Sequence, residues 1–170
     1  MSEQPKAFKT FEDLEAYQVT REFRKTMYGV SRRLPSFERF ELASQIRRAS
    51  VSLTNNIAEG HGRYHYLEQI KFTLNSRGSL QELIDDLNVC ADESYIPAPD
   101  VGNLKQQGWR VYQLFNGYIR HLRDRKAGAS LALHESSPAY GMTEDDLDAI
   151  LDDSTIQRFN DSTSYGRPLD

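Results

Sequence analysis

The stretch RRASVSLTNNIAEG, residues 47–60, governs how this chain is read. Wound as a helix, it sets Ile46, Ala49, Leu53 and Ile57 in one apolar stripe at spacings of three and four. The rest of its surface carries Arg48, Ser52, Asn55 and Glu59 along one line, with Asn56 beside them. Asn, Ser and Thr are costlier on a plain exposed helix than Ala, Lys or Glu, because their short polar side chains compete for the backbone. This polar set is therefore expected to meet something: another helix, another subunit or a ligand.

Working outward, the same period recurs on both sides. A first helix is expected over about 11–34, with Phe11, Leu14, Phe23, Met27, Val30 and Leu34 on its core face. Thr10 and Asp13 have the spacing of a capping pair, and Pro35 stops the helix. After the link PSFERF a second helix is expected over about 38–59, with Gly60 supplying the left-handed position that ends it. A turn at His61–Tyr64 leads to a third helix over about 66–93, whose core face holds Leu67, Ile70, Leu74, Leu83, Leu87 and Cys90/Ala91. IPAPD breaks the chain before a fourth helix over about 100–126, with Leu104, Val111, Leu114, Phe115, Tyr118 and Leu122 inward. No segment alternates like a strand. The expected fold is all-α: an antiparallel, up-down four-helix bundle over residues 1–126. Residues 127–170 read as an acidic linker and tail. A short helix is expected at 143–152, with Leu147, Ile150 and Leu151 as a small apolar face that needs a groove to dock into.

Composition narrows the function classes. The chain has 170 residues, 38% hydrophobic and 27% charged, enough for one domain with a core. No apolar run approaches the roughly 18–20 residues that span a bilayer, and MSEQPKAFKTFEDLEAY has no apolar signal core, so a cytoplasmic setting without a membrane partner is expected. The lone Cys90 forms no intrachain disulfide, and the four scattered histidines show no metal-ligand spacing. The net charge of −4 hides an asymmetry: residues 1–126 carry +3 and residues 127–170 carry −7. A mildly basic body keeps nucleic acid open as a partner.

Three segments carry a resemblance to a known family: FEDLEAYQ (11–18), LPSFERFELASQIRRASVSLTNNIAEGHGR (34–63) and GSLQELIDDL (78–87). In their order and spacing they resemble the bacterial four-helix-bundle proteins first described as products of the 23S rRNA intervening sequence. That family is similar in turn to the accessory variability proteins of diversity-generating retroelements. The match spans about residues 8–125. It implies a bundle assembled into a ring, typically a pentamer. The retroelement relatives have a basic surface and bind reverse transcriptase and nucleic acid. The resemblance implies no catalytic residue. The tail after residue 126 lies outside the match, and its acidity departs from those basic relatives.

Several side chains are candidates for function. Adjacent on a helix, Arg47 and Arg48 point about 100° apart. They could contact phosphate, extended by Arg63, Lys71 and Arg77, or pair with Glu41, Glu59 or Glu82. Arg120, Arg123, Arg125 and Lys126 cluster at the end of the fourth helix, where they suit its negative pole and could form a basic rim. Asn55, Asn56 and Glu59, with Gly60, are expected to form a helix-locking or oligomer network with Gly78, Ser79 and Glu82, the small residues allowing close backbone approach. Trp109, Tyr112, Phe115 and Tyr118 could stack bases, although an aromatic stripe at helical spacing is usually core or interface. No nucleophile has an evident activating base, no Glu-x-x-His is present, and the GHG at 60–62 is too short for a phosphate loop. The expectation is thus a non-catalytic assembly or adaptor protein without cofactor or metal. It would be a homo-oligomeric ring that binds RNA or DNA, or a nucleic-acid enzyme such as a reverse transcriptase, through basic surfaces. The alternative is a protein–protein adaptor whose acidic tail docks on a partner or covers the basic surface.

Overall fold

The computed structural model describes residues 10–63 and 65–130, with side chains to residue 125. Thr10 caps a 3-10 turn at Phe11–Asp13, its hydroxyl accepting from the Glu12 N–H while the Asp13 carboxylate accepts from the Thr10 N–H. The capping pair is thus real, but it caps a separate turn, and α1 (Glu15–Arg33) starts two residues later. The turn closes with Leu14 in extended conformation. A second 3-10 turn, Ser36–Arg39, fills the link read as PSFERF and leads to α2 (Leu42–Gly62). Then follow α3 (Tyr66–Asp92) and α4 (Ala98–Ser130). Among the described residues there is no strand, and no helix is long and apolar enough to cross a membrane.

Bonds between side chains fix the topology. Arg24 of α1 donates to Thr54 Oγ1 of α2 (3.0 Å), while Phe11 lies edge-on to His61, so residue numbers rise on one helix as they fall on the other. Ser76 donates to the Leu53 carbonyl and Ser79 to Ser52 Oγ, both at 2.9 Å, which makes α2 and α3 antiparallel. Arg77 to Asn116 (3.1 Å) and Tyr118 to Gln69 (3.1 Å) do the same for α3 and α4. Arg33 and Asp100 form an ion pair at 3.3 Å between α4 and the end of α1. Every neighbouring pair is antiparallel, the up-down-up-down arrangement expected of four helices with short links. Met27, Ile46, Leu53, Ile57, Ile70, Leu80, Leu83, Leu87, Tyr112 and Phe115 fill the centre, each essentially without exposure.

Several buried hydroxyls turn back on their own helices. Ser50 donates to the Ile46 carbonyl at 2.6 Å and Thr73 to the Gln69 carbonyl at 2.7 Å. Such bonds satisfy a hydroxyl in an apolar layer while keeping its volume low. α3 ends with Ser94 in the left-handed region (φ 57°), which returns the Tyr95 N–H to the Cys90 carbonyl and drives Ile96 into the core.

Two glycine readings change. Gly60 does not end α2; it lies buried inside the helix, which runs on to Gly62. Its importance is spatial, because a Cβ there would stand 2.8 Å from Phe72 Cβ and 3.4 Å from the Gln69 backbone. Gly78 was expected to permit a close helix approach, but it is exposed, with nothing within 4 Å of where a Cβ would stand. The prolines of IPAPD also differ from expectation. Pro99 sits within the first turn of α4, where a missing N–H costs nothing, and the Asp100 N–H bonds to the Pro97 carbonyl. At its other end α4 continues past Lys126 into AGAS, as its alanines permit. The expected tail helix at 143–152, with Leu147, Ile150 and Leu151, lies outside the described residues, as does the side chain of Lys126.

These placements predict opposite outcomes for two similar substitutions. Gly60→Ala forces α2 and α3 apart and should cost about 1–3 kcal/mol of stability. Gly78→Ala should be neutral or stabilise by up to about 1 kcal/mol, by removing backbone freedom from an exposed helix position. Urea denaturation of both variants checks this; equal midpoints would mean that the close approach at Gly60 is not formed.

Candidate functional site

The polar line of α2 divides into three parts. Asn56 donates its amide to the Ser52 carbonyl (2.9 Å) and to Ser52 Oγ (3.1 Å), and Ser79 of α3 donates to the same Oγ. This Asn56–Ser52–Ser79 chain is the part of the expected network that forms. Glu59 departs from it: one turn on, it pairs with Arg63 at 2.8 Å on the exposed surface. Asn55 is exposed and lines a groove on the α1 side. Glu82 is exposed on the other side of α2. The helical rotation explains the split: positions three, four and seven residues apart share a face only approximately, and α3 covers just one edge of it.

The arginines also separate. Neither Arg47 nor Arg48 forms an ion pair with Glu41, Glu59 or Glu82 among the described residues. Arg47 donates to the Arg39 carbonyl at 2.9 Å, while Arg48 is exposed. Arg77 is committed inward, bonded to Asn116 and stacked 4.9 Å above the Tyr112 ring, so it belongs to the α3–α4 packing rather than to a basic surface. Arg63 covers Phe72 at 5.4 Å as well as pairing with Glu59. Lys71, Arg120 and Arg125 are exposed and Arg123 is half-buried. The aromatic stripe is mainly interior: Tyr112 and Phe115 are buried, with Trp109 stacked on Tyr112 at 5.3 Å. Tyr118 spends its hydroxyl on Gln69, and its desolvation raises its pKa.

What the structure does assemble is a pair of adjoining grooves along α1 and α2. One, of about 510 Å³, is lined by Tyr28, Arg47, Arg48, Val51, Ser52, Asn55 and Asn56. The other, of about 410 Å³, shares Tyr28 and Arg47 and adds Arg32 and Arg39 among its lining residues. Among the described residues no acidic side chain lines either one. Four arginines, Arg32, Arg39, Arg47 and Arg48, thus line two adjoining depressions that meet at Tyr28 and Arg47. Arg32 and Arg39 were not among the sequence candidates. Tyr28 and Arg32, four apart on one helix, gave a usable signal, whereas Arg39 sits in the link and reaches the groove only through the fold.

The opposite flank of α2 is acidic. Glu82, Asp85 and Asp86 of α3 line a groove with Gln45, Arg48 and Ala49 of α2. Asp86 is only 8% exposed, and its Oδ2 has no hydrogen-bond partner. Burial, reinforced by the charges of Asp85 and Glu82, pushes its carboxyl up to about 6. Cys90, one turn away, is fully buried and pushed up to about 11, again chiefly by burial. Such a thiol is a poor nucleophile at neutral pH. Among the described residues no group of three or more His, Cys, Asp or Glu could hold a metal ion.

A family model described as the 23S rRNA-intervening sequence protein matches residues 12–117. The chain belongs to that family. A comparison with curated proteins found no match. The matched segment runs from the first 3-10 turn to Gly117 and contains all four groove arginines together with the Asn56–Ser52–Ser79 chain. The basic cluster from Arg120 onward falls outside it. The α1–α2 groove thus lies within the matched residues and the end of α4 beyond them.

Asp86 yields a pH prediction. A folded-state value of about 6 against an ordinary 3.8 means that the native protein binds this proton more tightly than the unfolded chain. Its contribution is most favourable below the ordinary value and is lost as pH rises through about 6. Asp86→Asn should therefore raise the urea midpoint at pH 7.5, and the gain should shrink towards pH 4. A gain of equal size at both pH values would show that the carboxylate's charge is not the cause.

Proposed function

We propose that this protein is a non-catalytic assembly or adaptor module. It acts as a homo-oligomer, a ring of the pentameric kind, that engages nucleic acid or a nucleic-acid-processing enzyme electrostatically. The observation that carries this reading is the pair of adjoining α1–α2 depressions lined by Arg32, Arg39, Arg47 and Arg48, with no acid in their lining among the described residues. Guanidinium forks match phosphate oxygens in geometry as well as charge. Repeating one groove around a ring multiplies the local potential, which offsets the modest net charge of each body. Membership of a family named for a 23S rRNA intervening sequence makes RNA the first ligand to try. A resemblance read from the sequence alone, to accessory proteins of diversity-generating retroelements, is the ground for proposing reverse transcriptase as a protein partner. The absence of an activated nucleophile from the candidate residues favours a binding role over a catalytic one.

The charge asymmetry of the sequence supports a second reading. The tail, at −7, is complementary to a basic groove and would compete with phosphate for it, or dock on another protein through Leu147, Ile150 and Leu151. Removing residues 131–170 distinguishes the cases: gained RNA affinity identifies a shield, and a lost protein partner identifies a docking segment.

Native mass spectrometry of the full chain should give a mass several times that of the subunit. Affinity for RNA should fall steeply with salt, and Arg47→Ala with Arg48→Ala should flatten the slope of log affinity against log salt by about one to two units. A monomer that binds no nucleic acid at low salt would remove the proposal.

A further inference from the structure

The link between α1 and α2 exposes two large aromatic side chains that the bundle does not use. Phe37 is 69% exposed and Phe40 is 77% exposed, the highest values among the large hydrophobic residues described. They lie three residues apart along the Ser36–Arg39 turn and its C-cap, a spacing at which side chains of a 3-10 helix fall on one face. Their backbone is held firmly. The Glu38 carboxylate accepts from the Leu42 N–H at 3.1 Å and from the Tyr95 hydroxyl at 2.9 Å, tying the turn to α2 and to the segment after α3. Phe37 meets the Tyr95 ring edge-on at 6.1 Å. The turn is therefore a rigid platform that presents rings to solvent.

This platform adjoins the arginine groove. Arg39 lines the groove, and its guanidinium lies 5.3 Å from the centre of the Phe40 ring. The Arg39 carbonyl takes the Arg47 guanidinium, which lines both halves of the groove. Glu38, the acid nearest in sequence, is occupied by Leu42 and Tyr95. A positive track that leads to exposed rings is the pairing of features that binds single-stranded nucleic acid: the phosphates follow the charge and unpaired bases stack on the rings. A duplex keeps its bases stacked inside and offers such rings nothing. A protein partner would gain from the aromatic pair, but Arg32, Arg39 and Arg47, none of which forms an ion pair among the described residues, favour a polyanion.

We infer that the α1–α2 groove and the Phe37–Phe40 turn form one site for single-stranded RNA, with phosphates against Arg32, Arg39 and Arg47 and bases against the two rings. This rests on the nucleic-acid reading above and adds the strand state, the stacking residues and the place. The aromatic pair supplies selection for unpaired strands, and the arginines supply the salt-sensitive part of the affinity. Because both rings project into solvent, replacing them leaves the core intact.

The test is fluorescence anisotropy on the full chain, using a labelled single-stranded RNA of mixed sequence and a duplex of the same sequence. The wild-type protein should prefer the single strand, and Phe37→Ala with Phe40→Ala should weaken single-strand binding by roughly tenfold or more, leaving the salt slope unchanged. Arg32→Ala with Arg47→Ala should flatten the slope by about one to two units. Native mass spectrometry of each variant should give the wild-type subunit number. Equal affinity for duplex and single strand, or RNA binding indifferent to the two phenylalanines, would overturn this inference while leaving nucleic-acid binding in place. A changed subunit number in the phenylalanine variant would overturn it in favour of a subunit interface. Absence of binding to either RNA at low salt would remove both readings.

Discussion

Helices α2 and α3 can lie as close as they do because Gly60 has no side chain. A single carbon at that position would stand 2.8 Å from Phe72 Cβ, inside the distance any carbon pair tolerates. Near this contact the two helices are joined by hydroxyl bonds, Ser76 to the Leu53 carbonyl and Ser79 to Ser52, which a wider spacing would break. Each is worth about 1 kcal/mol net, and a hydroxyl left unpaired in the core would cost more than that. The close approach and the bonds therefore depend on one another. They fix the rotation of α2, and with it which of its faces look towards α1 and which towards the acids of α3.

That rotation gives the surface its polarity. On one flank of α2, Arg47 joins Arg32 and Arg39 around Tyr28. On the other, Asp86 is pressed into a poorly solvated position beside Asp85 and Glu82, and its carboxyl holds its proton up to about pH 6. Arg48 stands between, lining a groove on each side. The mean charge of the body thus says little about its surface, since opposite signs are sorted to opposite flanks of one helix.

The candidate site was only partly legible from the chain. Asn56 and Ser79 were read as partners and are linked through Ser52, since small polar residues on the edge of an apolar stripe face the next helix. Glu59 and Glu82 do not join that chain within the subunit: both are exposed, and Glu59 takes the neighbouring Arg63. Arg77 looked like surface charge, yet its guanidinium packs over Tyr112; a long side chain can reach inward from a half-exposed position. Asp86 carried a missed signal: it lies three residues after Leu83 and four before Cys90, on the core face where a carboxylate is out of place.

The sequence by itself determined the four helices and their order. Apolar residues at spacings of three and four fix both helicity and the face to be buried, and short links leave antiparallel neighbours as the simple solution. It also carried the family resemblance through residues 34–63 and 78–87. Tertiary structure alone decided what Gly60 is for, since ending a helix and admitting a neighbour call for the same residue. It alone brought Arg39 from a link and Arg32 from α1 to Arg47, because those positions have no periodic relation to one another. The exposure of Phe37 and Phe40 was likewise settled only in three dimensions: a ring's hydrophobicity favours burial, but the core was already filled by other side chains.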